Sequence, residues 1–367
     1  MLRFHFLYRV LICALLACSC SIEIDQAVET PQLANTPAIS STSIFSMTPV
    51  PITWAHLNLT GKLIYLSSKR DNDIVTGNIQ MLDLVSGEIA TIFSVPGAWI
   101  YYATISPDAK SVVMSYAPPA QANSSPNRIL YIMPLDTAAA PQPLFTPPTQ
   151  EDRYTQVEWS ADGRYLYFVH YNNEARPSGQ LDPIYDILRI QYPAGQLEQI
   201  ADHAFWPRLS SNSSQLVYIS VDPVSGKNEL FTANADGSNP QRVALSGPAS
   251  QKIIDAPIFS PDGQSILFSV PSLAQSHRPN WFEKLMGVQG VKAHNVPSDW
   301  WSVPVTGGVP AQLTNIQTVN LFASISPDQK HIASLSAEGI FVMDLQGSNL
   351  TRLVADSGVH GTVSWTP

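Results

Sequence analysis

The sequence predicts an all-β protein, a six-bladed β-propeller of four-stranded antiparallel blades. Three observations lead to this prediction. A short turn motif recurs along the chain, each copy is followed by further strand patterns, and the two ends of the repeat region each hold part of one blade. Such recurrence is typical of architectures in which one supersecondary unit packs on the next.

The turn motif consists of an apolar residue, a serine, Pro-Asp or a similar pair, and a small residue, followed by an alternating apolar strand. Proline presets the φ angle of a turn, Asp or Asn bonds to nearby backbone, and glycine or another small residue follows. Each motif therefore joins two strands of a hairpin. We expect a structural turn role, rather than a carboxylate array, for the residues at the fourth position of the motif: Asp108, Asp162, Asn212, Asp262 and Asp328.

Two further strand patterns follow most hairpins. The third strands alternate in polarity, as in RILYIMPL, NELFTANA and GIFVMDL, and most lead through a Gly or Pro turn into a short fourth strand such as QRVAL, AQLTN or TRLVA. Four antiparallel strands per repeat, arranged radially, make a propeller blade.

The two ends of the repeat region complete one blade between them. The first ordered pattern, Gly61 to Leu66, matches a second strand that lacks a first strand, and the last pattern, around Val363 to Trp365, is a first strand. We therefore expect the C-terminal strand to pair with the first blade and close the ring, which removes exposed strand edges. A linear solenoid, the competing architecture, does not account for these ends.

The turn motifs and aromatic strands resemble the WD40-like (PD40) repeats of the TolB-type six-bladed propellers over about residues 60–367. The resemblance implies the fold and leaves the function open, because similar blades occur in Tol-system proteins, in peptidase propeller domains and in lipoproteins. The N-terminal α/β domain of the TolB type has no counterpart in this sequence.

The N-terminal segment has the composition of an export signal. Arg3 and Arg9 make it basic, and the apolar run Val10 to Ala17 is too short to span a bilayer. The run ends Leu15-Leu16-Ala17-Cys18, which resembles the lipobox of bacterial lipoproteins, so Cys18 is the expected lipidation site. An ordinary signal peptide followed by an unrelated cysteine is the alternative.

These patterns divide the chain into three parts: a lipoprotein signal peptide (1–17), a tether rich in Ser, Thr and Pro (18–56) and the propeller (57–367). The expected location is the extracytoplasmic side of a membrane, in the periplasm or at the cell surface. All three cysteines lie within the first twenty residues, so no disulfide is expected in the propeller. The net charge of −9 argues against a nucleic-acid partner.

Long second-to-third loops are expected in blades 2, 3 and 5, and all of them emerge on the same face of the propeller. The blade 5 insertion is predicted to form a short helix with an apolar face, and two tryptophans follow it at the start of a strand. These residues either pack the insertion onto the blades or dock a partner: Trp281, Phe282, Leu285, Met286, Trp300 and Trp301.

No catalytic motif accompanies the repeats. The sequence contains no G-x-S-x-G elbow, H-E-x-x-H or cysteine-based metal pattern, and it predicts no cofactor or metal site. The acids Asp182, Asp186 and Asp299 lie near the loop-bearing face, where a site spread over several blades could use them. The leading hypothesis is a non-catalytic envelope lipoprotein that binds a protein, peptide or glycan. The alternatives are an envelope hydrolase or lyase with a site in the central channel, and a relict peptidase-type propeller.

Overall fold

The computed structural model describes residues 47–119, 128–135, 139–149, 151–175, 181–222, 226–272 and 296–367. In this part of the chain, 25 strands form six antiparallel sheets, accompanied by two short 3-10 turns, Ala55–Leu57 and Pro248–Gln251. The predicted six-bladed propeller is therefore confirmed. Within the same residues, no helix is long and apolar enough to cross a membrane.

Blade 1 combines strands from both ends of the sequence. Its strands are β1 (Met47–Pro49), β2 (Lys62–Asp71), β3 (Ile74–Asp83), β4 (Glu88–Pro96) and β25 (Val359–Thr366). Their order in the sheet is β1-β4-β3-β2-β25. β25 therefore supplies the innermost strand of the blade, as the sequence predicts.

The other five blades are each contiguous in sequence. Blade 2 contains β5 (Trp99–Ile105), β6 (Ser111–Ala117), β7 (Ile129–Pro134) and β8 (Gln142–Pro143). Blade 3 contains β9 (Arg153–Trp159), β10 (Tyr165–Ala175), β11 (Leu181–Gln191) and β12 (Leu197–Ala201). Blade 4 contains β13 (Ala204–Leu209), β14 (Gln215–Val221), β15 (Asn228–Asn234) and β16 (Gln241–Arg242).

The last two blades follow the same plan. Blade 5 contains β17 (Asp255–Phe259), β18 (Ser265–Pro271), β19 (Ser298–Pro304) and β20 (Ala311–Gln312). Blade 6 contains β21 (Phe322–Ile325), β22 (His331–Ser336), β23 (Gly339–Asp344) and β24 (Thr351–Val354). In each blade the four strands lie side by side in sequence order.

Ring closure rests on the pairing of β2 with β25, in which Lys62 lies opposite Thr366 and Ser67 lies opposite Val359. The preceding residue, Gly61, has a φ of 84°. A Cβ at this position would lie 2.2 Å from the carbonyl oxygen of Thr366. The approach of β25 therefore requires glycine at position 61.

The N-terminal boundary of the propeller differs from the prediction. Residues 47–56 were expected in the tether, but β1 pairs with β4, Met47 lying opposite Ala90. Trp54 is buried, and its indole N–H donates to the carbonyl oxygen of Leu84 at 2.8 Å. The blade gains an outer edge strand from this segment, so the predicted tether overlaps the propeller by these residues.

The strand directions define two faces of the propeller. In blades 2 to 6 the innermost strand ends at the motif turn, so the motif turns lie together on what we call the turn face. The connections from second to third strands lie on the opposite, loop face. The packing between blades is apolar, and the large hydrophobic cluster that includes Trp206, Phe268 and Trp365 joins strands of several blades.

Candidate binding site on the loop face

The motif residues act as turn caps. In the turn of blade 5, the Asp262 carboxylate accepts hydrogen bonds from the Ser260 hydroxyl at 2.6 Å and the Gln264 N–H at 3.0 Å. The Ser260 hydroxyl oxygen accepts from the Ser265 N–H at 2.9 Å. The same serine-to-Asx bond recurs in the other four turns, at Asp108, Asp162, Asn212 and Asp328.

Trp300 and Trp301, two residues of the predicted docking patch, lie in the core. Trp300 has no exposed surface, and its indole N–H donates to the Ser334 hydroxyl at 2.9 Å. Trp301 is 9% exposed and belongs to the hydrophobic cluster between the blades. These two side chains pack blades together and present no docking surface. Trp281, Phe282, Leu285 and Met286 lie outside the described residues, as does Cys18.

Two of the three candidate acids have structural hydrogen bonds. Asp299 is buried; one carboxylate oxygen accepts from the N–H groups of Ile316 and Gln317 at 2.6 and 3.1 Å, and the other accepts from the Ser272 hydroxyl at 2.7 Å. Asp186 accepts from a backbone N–H. The side chain of Asp182 lies outside the described part. Among the described residues, no group of three or more His, Cys, Asp or Glu side chains could hold a metal ion.

Three aromatic rings meet on the axis of the propeller. Tyr102 of blade 2, Trp206 of blade 4 and Phe322 of blade 6 pack with ring centroids 5.7, 6.0 and 5.0 Å apart. Innermost strands of alternate blades can touch in this way only across the channel, so these rings, which we call the axial plug, fill it at this level. Burial raises the pKa of the Tyr102 hydroxyl, and the charge of Asp255 adds to the increase.

An ion pair lies on the turn-face side of the axial plug. Glu158 and Arg208 approach to 3.5 Å, and the Arg208 guanidinium also donates to the carbonyl oxygen of Ala323 at 3.2 Å. Burial raises the pKa of Glu158 while Arg208 opposes the increase. These contacts join blades 3, 4 and 6, so Glu158 and Arg208 have a structural role.

A cluster of aromatic residues from blades 2, 3 and 4 lies toward the loop face. The Arg128 guanidinium lies 4.3 Å from the ring centroid of Tyr101 and 5.9 Å from that of Tyr171. Tyr171 packs on Tyr185 at 5.1 Å, and Tyr185 packs on Phe205 at 5.7 Å. We call these five residues the aromatic mouth. All of them are partly exposed.

The blade topology explains why these residues meet. Innermost strands start at the loop face, and Tyr101 and Phe205 stand near the starts of β5 and β13. Second strands end at the loop face, where Tyr171 lies in β10, and third strands start there, where Tyr185 lies in β11. The mouth could not be predicted from the sequence because its residues are far apart in it. The four aromatic residues share one signal, a position in the loop-face half of a strand.

Two histidines lie near the mouth, and each is held by contacts with neighbouring residues. His360 stacks on Trp99 at 4.6 Å, and its Nε2 lies 3.0 Å from the carbonyl oxygen of Ile100. His170 Nε2 lies 2.7 Å from the buried Asp152 carboxylate. Burial acts to raise the pKa of Asp152, but the hydrogen bonds from His170 and Thr149 outweigh burial, so the pKa is lowered.

Comparisons with known proteins identify the fold. No protein-family model matches the sequence, and a search of curated proteins finds no relative. Solved structures are similar at low identity. TolB from Acinetobacter baumannii is 14% identical, with a TM-score of 0.54 over 84% of this chain and 67% of that chain. A protein named as TolB from Agrobacterium tumefaciens is 15% identical, with a TM-score of 0.55 over 82% of this chain and 99% of that chain.

A third similar structure comes from an enzyme. Hydrazine synthase of Kuenenia stuttgartiensis is 11% identical, with a TM-score of 0.54 over 82% of this chain and 46% of that chain. At such identities a shared propeller carries no information about activity. The chain has the fold of the TolB-like six-bladed β-propellers.

Proposed function

We propose that this protein is an exported, lipid-anchored propeller that binds a protein, peptide or glycan of the cell envelope through the aromatic mouth, without catalysing a reaction. The observation that carries the proposal is the axial plug of Tyr102, Trp206 and Phe322. It fills the channel, which is where the alternative of an envelope hydrolase or lyase places its site, and the partly exposed aromatic mouth lies toward the loop face.

The composition of the mouth supports binding. Tyrosine and arginine are enriched at the energetic centres of interfaces, because they combine large apolar area with hydrogen-bonding groups. The rings of Tyr171, Tyr185 and Phe205 pack on one another, so their positions are fixed before a partner arrives. Such preorganisation lowers the entropic cost of association.

The test compares partner capture by matched variants. The lipidated protein is cross-linked in its own membranes and purified, alongside the double variant Tyr185→Ala/Phe205→Ala and the control Tyr165→Ala. Tyr165 is a partly exposed tyrosine at the turn-face end of the strand that holds Tyr171. We expect the double variant to lose a partner that the control retains at the wild-type yield, with both melting temperatures near the wild-type value. Equal capture by all three proteins contradicts the proposal.

The anchor is tested on the same preparations. We expect Cys18→Ala to move the protein from the membrane fraction to the soluble fraction, because a diacylated cysteine is held by apolar burial of its acyl chains. Cys20→Ala serves as the control and should stay in the membrane fraction. If the Cys18→Ala protein stays in the membrane fraction, the proposed lipid anchor at Cys18 is wrong.

A further inference from the structure

Arg128 differs from two other partly buried arginines, Arg189 and Arg208, which have carboxylate partners. Arg189 pairs with Glu198 at 2.7 Å and Arg208 with Glu158 at 3.5 Å. For Arg128, no carboxylate of the described residues lies within 4.0 Å of the guanidinium. Its charge is held instead by the faces of two tyrosine rings.

The Arg128 side chain is oriented so that its terminal nitrogens are available. Its Nε atom is buried and has no hydrogen-bond partner, whereas the two terminal nitrogens retain exposed surface. The backbone is fixed as well, because the carbonyl oxygen of Arg128 accepts from the Tyr154 N–H at 3.0 Å. A guanidinium whose two terminal nitrogens are accessible can offer two N–H groups to one ligand.

Partly desolvating a cation without a counter-ion is unfavourable, and the cost is removed when an anion binds. A carboxylate matches the planar fork of the guanidinium with two hydrogen bonds. We propose that the aromatic mouth binds the carboxylate of a peptide, with Arg128 as the anion-binding residue. The inference rests on the proposed function and specifies its ligand chemistry.

The surroundings of Arg128 favour a peptide over an acidic sugar. Phe205 and the ring faces of Tyr171 and Tyr185 offer apolar area to a side chain that neighbours the carboxylate.

Isothermal titration calorimetry on the full-length protein in detergent tests the inference. The probes are N-acetyltyrosine and its neutral analogue N-acetyltyrosinamide, galacturonic acid and its neutral analogue galactose, and inorganic phosphate. We expect N-acetyltyrosine to bind at least about tenfold more tightly than its amide, since a charge-assisted hydrogen bond contributes at least this much. Equal binding of the two, or no binding of N-acetyltyrosine, overturns the inference. Tighter binding of galacturonic acid or phosphate overturns the assignment to a peptide.

The variants locate the binding. Arg128→Gln should weaken binding of N-acetyltyrosine about tenfold, and Arg128→Lys, which keeps the charge and loses the fork, should give an intermediate loss. Arg189→Gln is the matched control, because Arg189 also lies over a tyrosine ring, Tyr165, at 4.8 Å but already has a carboxylate partner. Its affinity should stay within about twofold of wild type. Unchanged binding by both Arg128 variants contradicts the assignment.

The two proposals fail in different ways. If partner capture depends on Tyr185 and Phe205 while no carboxylate probe binds, the proposed function is supported. Binding of a carboxylate by Arg128 is then contradicted. If the probes bind through Arg128 but capture is insensitive to the mouth variants, the mouth is a small-molecule site.

Discussion

At the scale of single residues, the motif turns show how a repeat tolerates different side chains. The residue after the capping Asp or Asn is left-handed in all five turns, with φ between 53° and 69°. It is glycine in two turns and Ala109, Ser213 or Gln329 in the others. The hydrogen bonds of the cap hold a conformation that costs a non-glycine residue about 1 kcal/mol or more. The sequence predicts the turn and its cap, but Gln329 gives no sign of its left-handed backbone.

The capping carboxylates make the stability depend on pH. Hydrogen bonds from the Ser260 hydroxyl and the Gln264 N–H lower the pKa of Asp262. A group whose pKa is lower in the folded protein stabilises it above the unfolded-state pKa of about 4, and this contribution is lost as the pH falls through the folded-state pKa. The motif turns of blades 2, 3 and 6 have an Asp with the same direction of shift.

We predict that Asp262→Asn weakens the acid dependence of the urea midpoint. Asn212 occupies the same position in blade 4 and accepts the same serine hydrogen bond at 2.9 Å, so the turn tolerates an amide. The difference in midpoint between wild type and variant should therefore be larger at pH 7 than at pH 3. Urea unfolding at the two pH values, followed by tryptophan fluorescence, measures it. A constant difference would mean that the Asp262 charge contributes nothing to stability.

At the scale of elements, three innermost strands contain β-bulges that the sequence repeat does not predict. β9, β13 and β17 each have a register shift against the second strand of the blade, and each holds a left-handed residue: Gln156, Trp206 and Ala256. A bulge bends the strand and changes the direction of a side chain. The carbonyl oxygen of the Gln156 side chain accepts from the Trp206 N–H at 2.7 Å, which links two bulges.

These bulges are the part of the strand structure that the apolar pattern does not predict. Alternation of apolar residues predicts the strands and the order of the blades, and both are confirmed. A bulge shifts the alternation by one residue, and Gln156 and Trp206 have no intrinsic preference for the left-handed region. Tyr102 and Trp206 of the axial plug lie at such register shifts, whereas Phe322 lies in a regular strand. The three rings meet only across the ring, so pattern and spacing could not predict the plug. The same applies to the position of Trp300, which the pattern placed next to an insertion and the fold buries.

A ring of the axial plug should contribute more to the free energy of unfolding than an aromatic contact on the outer part of a blade. Phe322 is 5% exposed, so its replacement by alanine should leave a cavity that costs about 3–5 kcal/mol. Phe231 is partly exposed and stacks on Tyr218 at 5.8 Å, so Phe231→Ala is the matched control and should cost less. Urea unfolding of the two variants compares the losses. Equal losses of unfolding free energy would show that the plug packs no better than the contact between Phe231 and Tyr218.

At the scale of the whole molecule, two segments far apart in sequence complete blade 1. β25 contributes the inner strand and reaches blade 2, where the Thr362 hydroxyl donates to the carbonyl oxygen of Ala103 at 2.6 Å. β1 contributes the outer edge through three residue pairs with β4. The sequence predicts β25 from the incomplete first blade, but β1 has no repeat to which it could be matched.

Two deletions should differ sharply in their effect. Removal of residues 358–367 deletes β25, exposes the edge of β2 and opens the ring, so we expect loss of cooperative unfolding and self-association. Removal of residues 1–50 deletes β1 and keeps Trp54, so we expect a cooperative transition at a lower urea midpoint. Size-exclusion chromatography and urea unfolding of the two purified proteins compare them. A monomeric, cooperatively folded protein without β25 would show that the ring is stable when open.

The pairing of β2 with β25 also sets an order of events during synthesis. Blades 2 to 6 are each built from one contiguous segment and can form as that segment emerges, whereas blade 1 needs residues 62 and 366 together. The edge of β2 therefore stays open until nearly the whole sequence is available. The nascent protein passes through a period in which that bare edge can recruit the strand of a neighbouring chain. A chaperone that covered exposed strand edges would therefore be needed longest at the first blade.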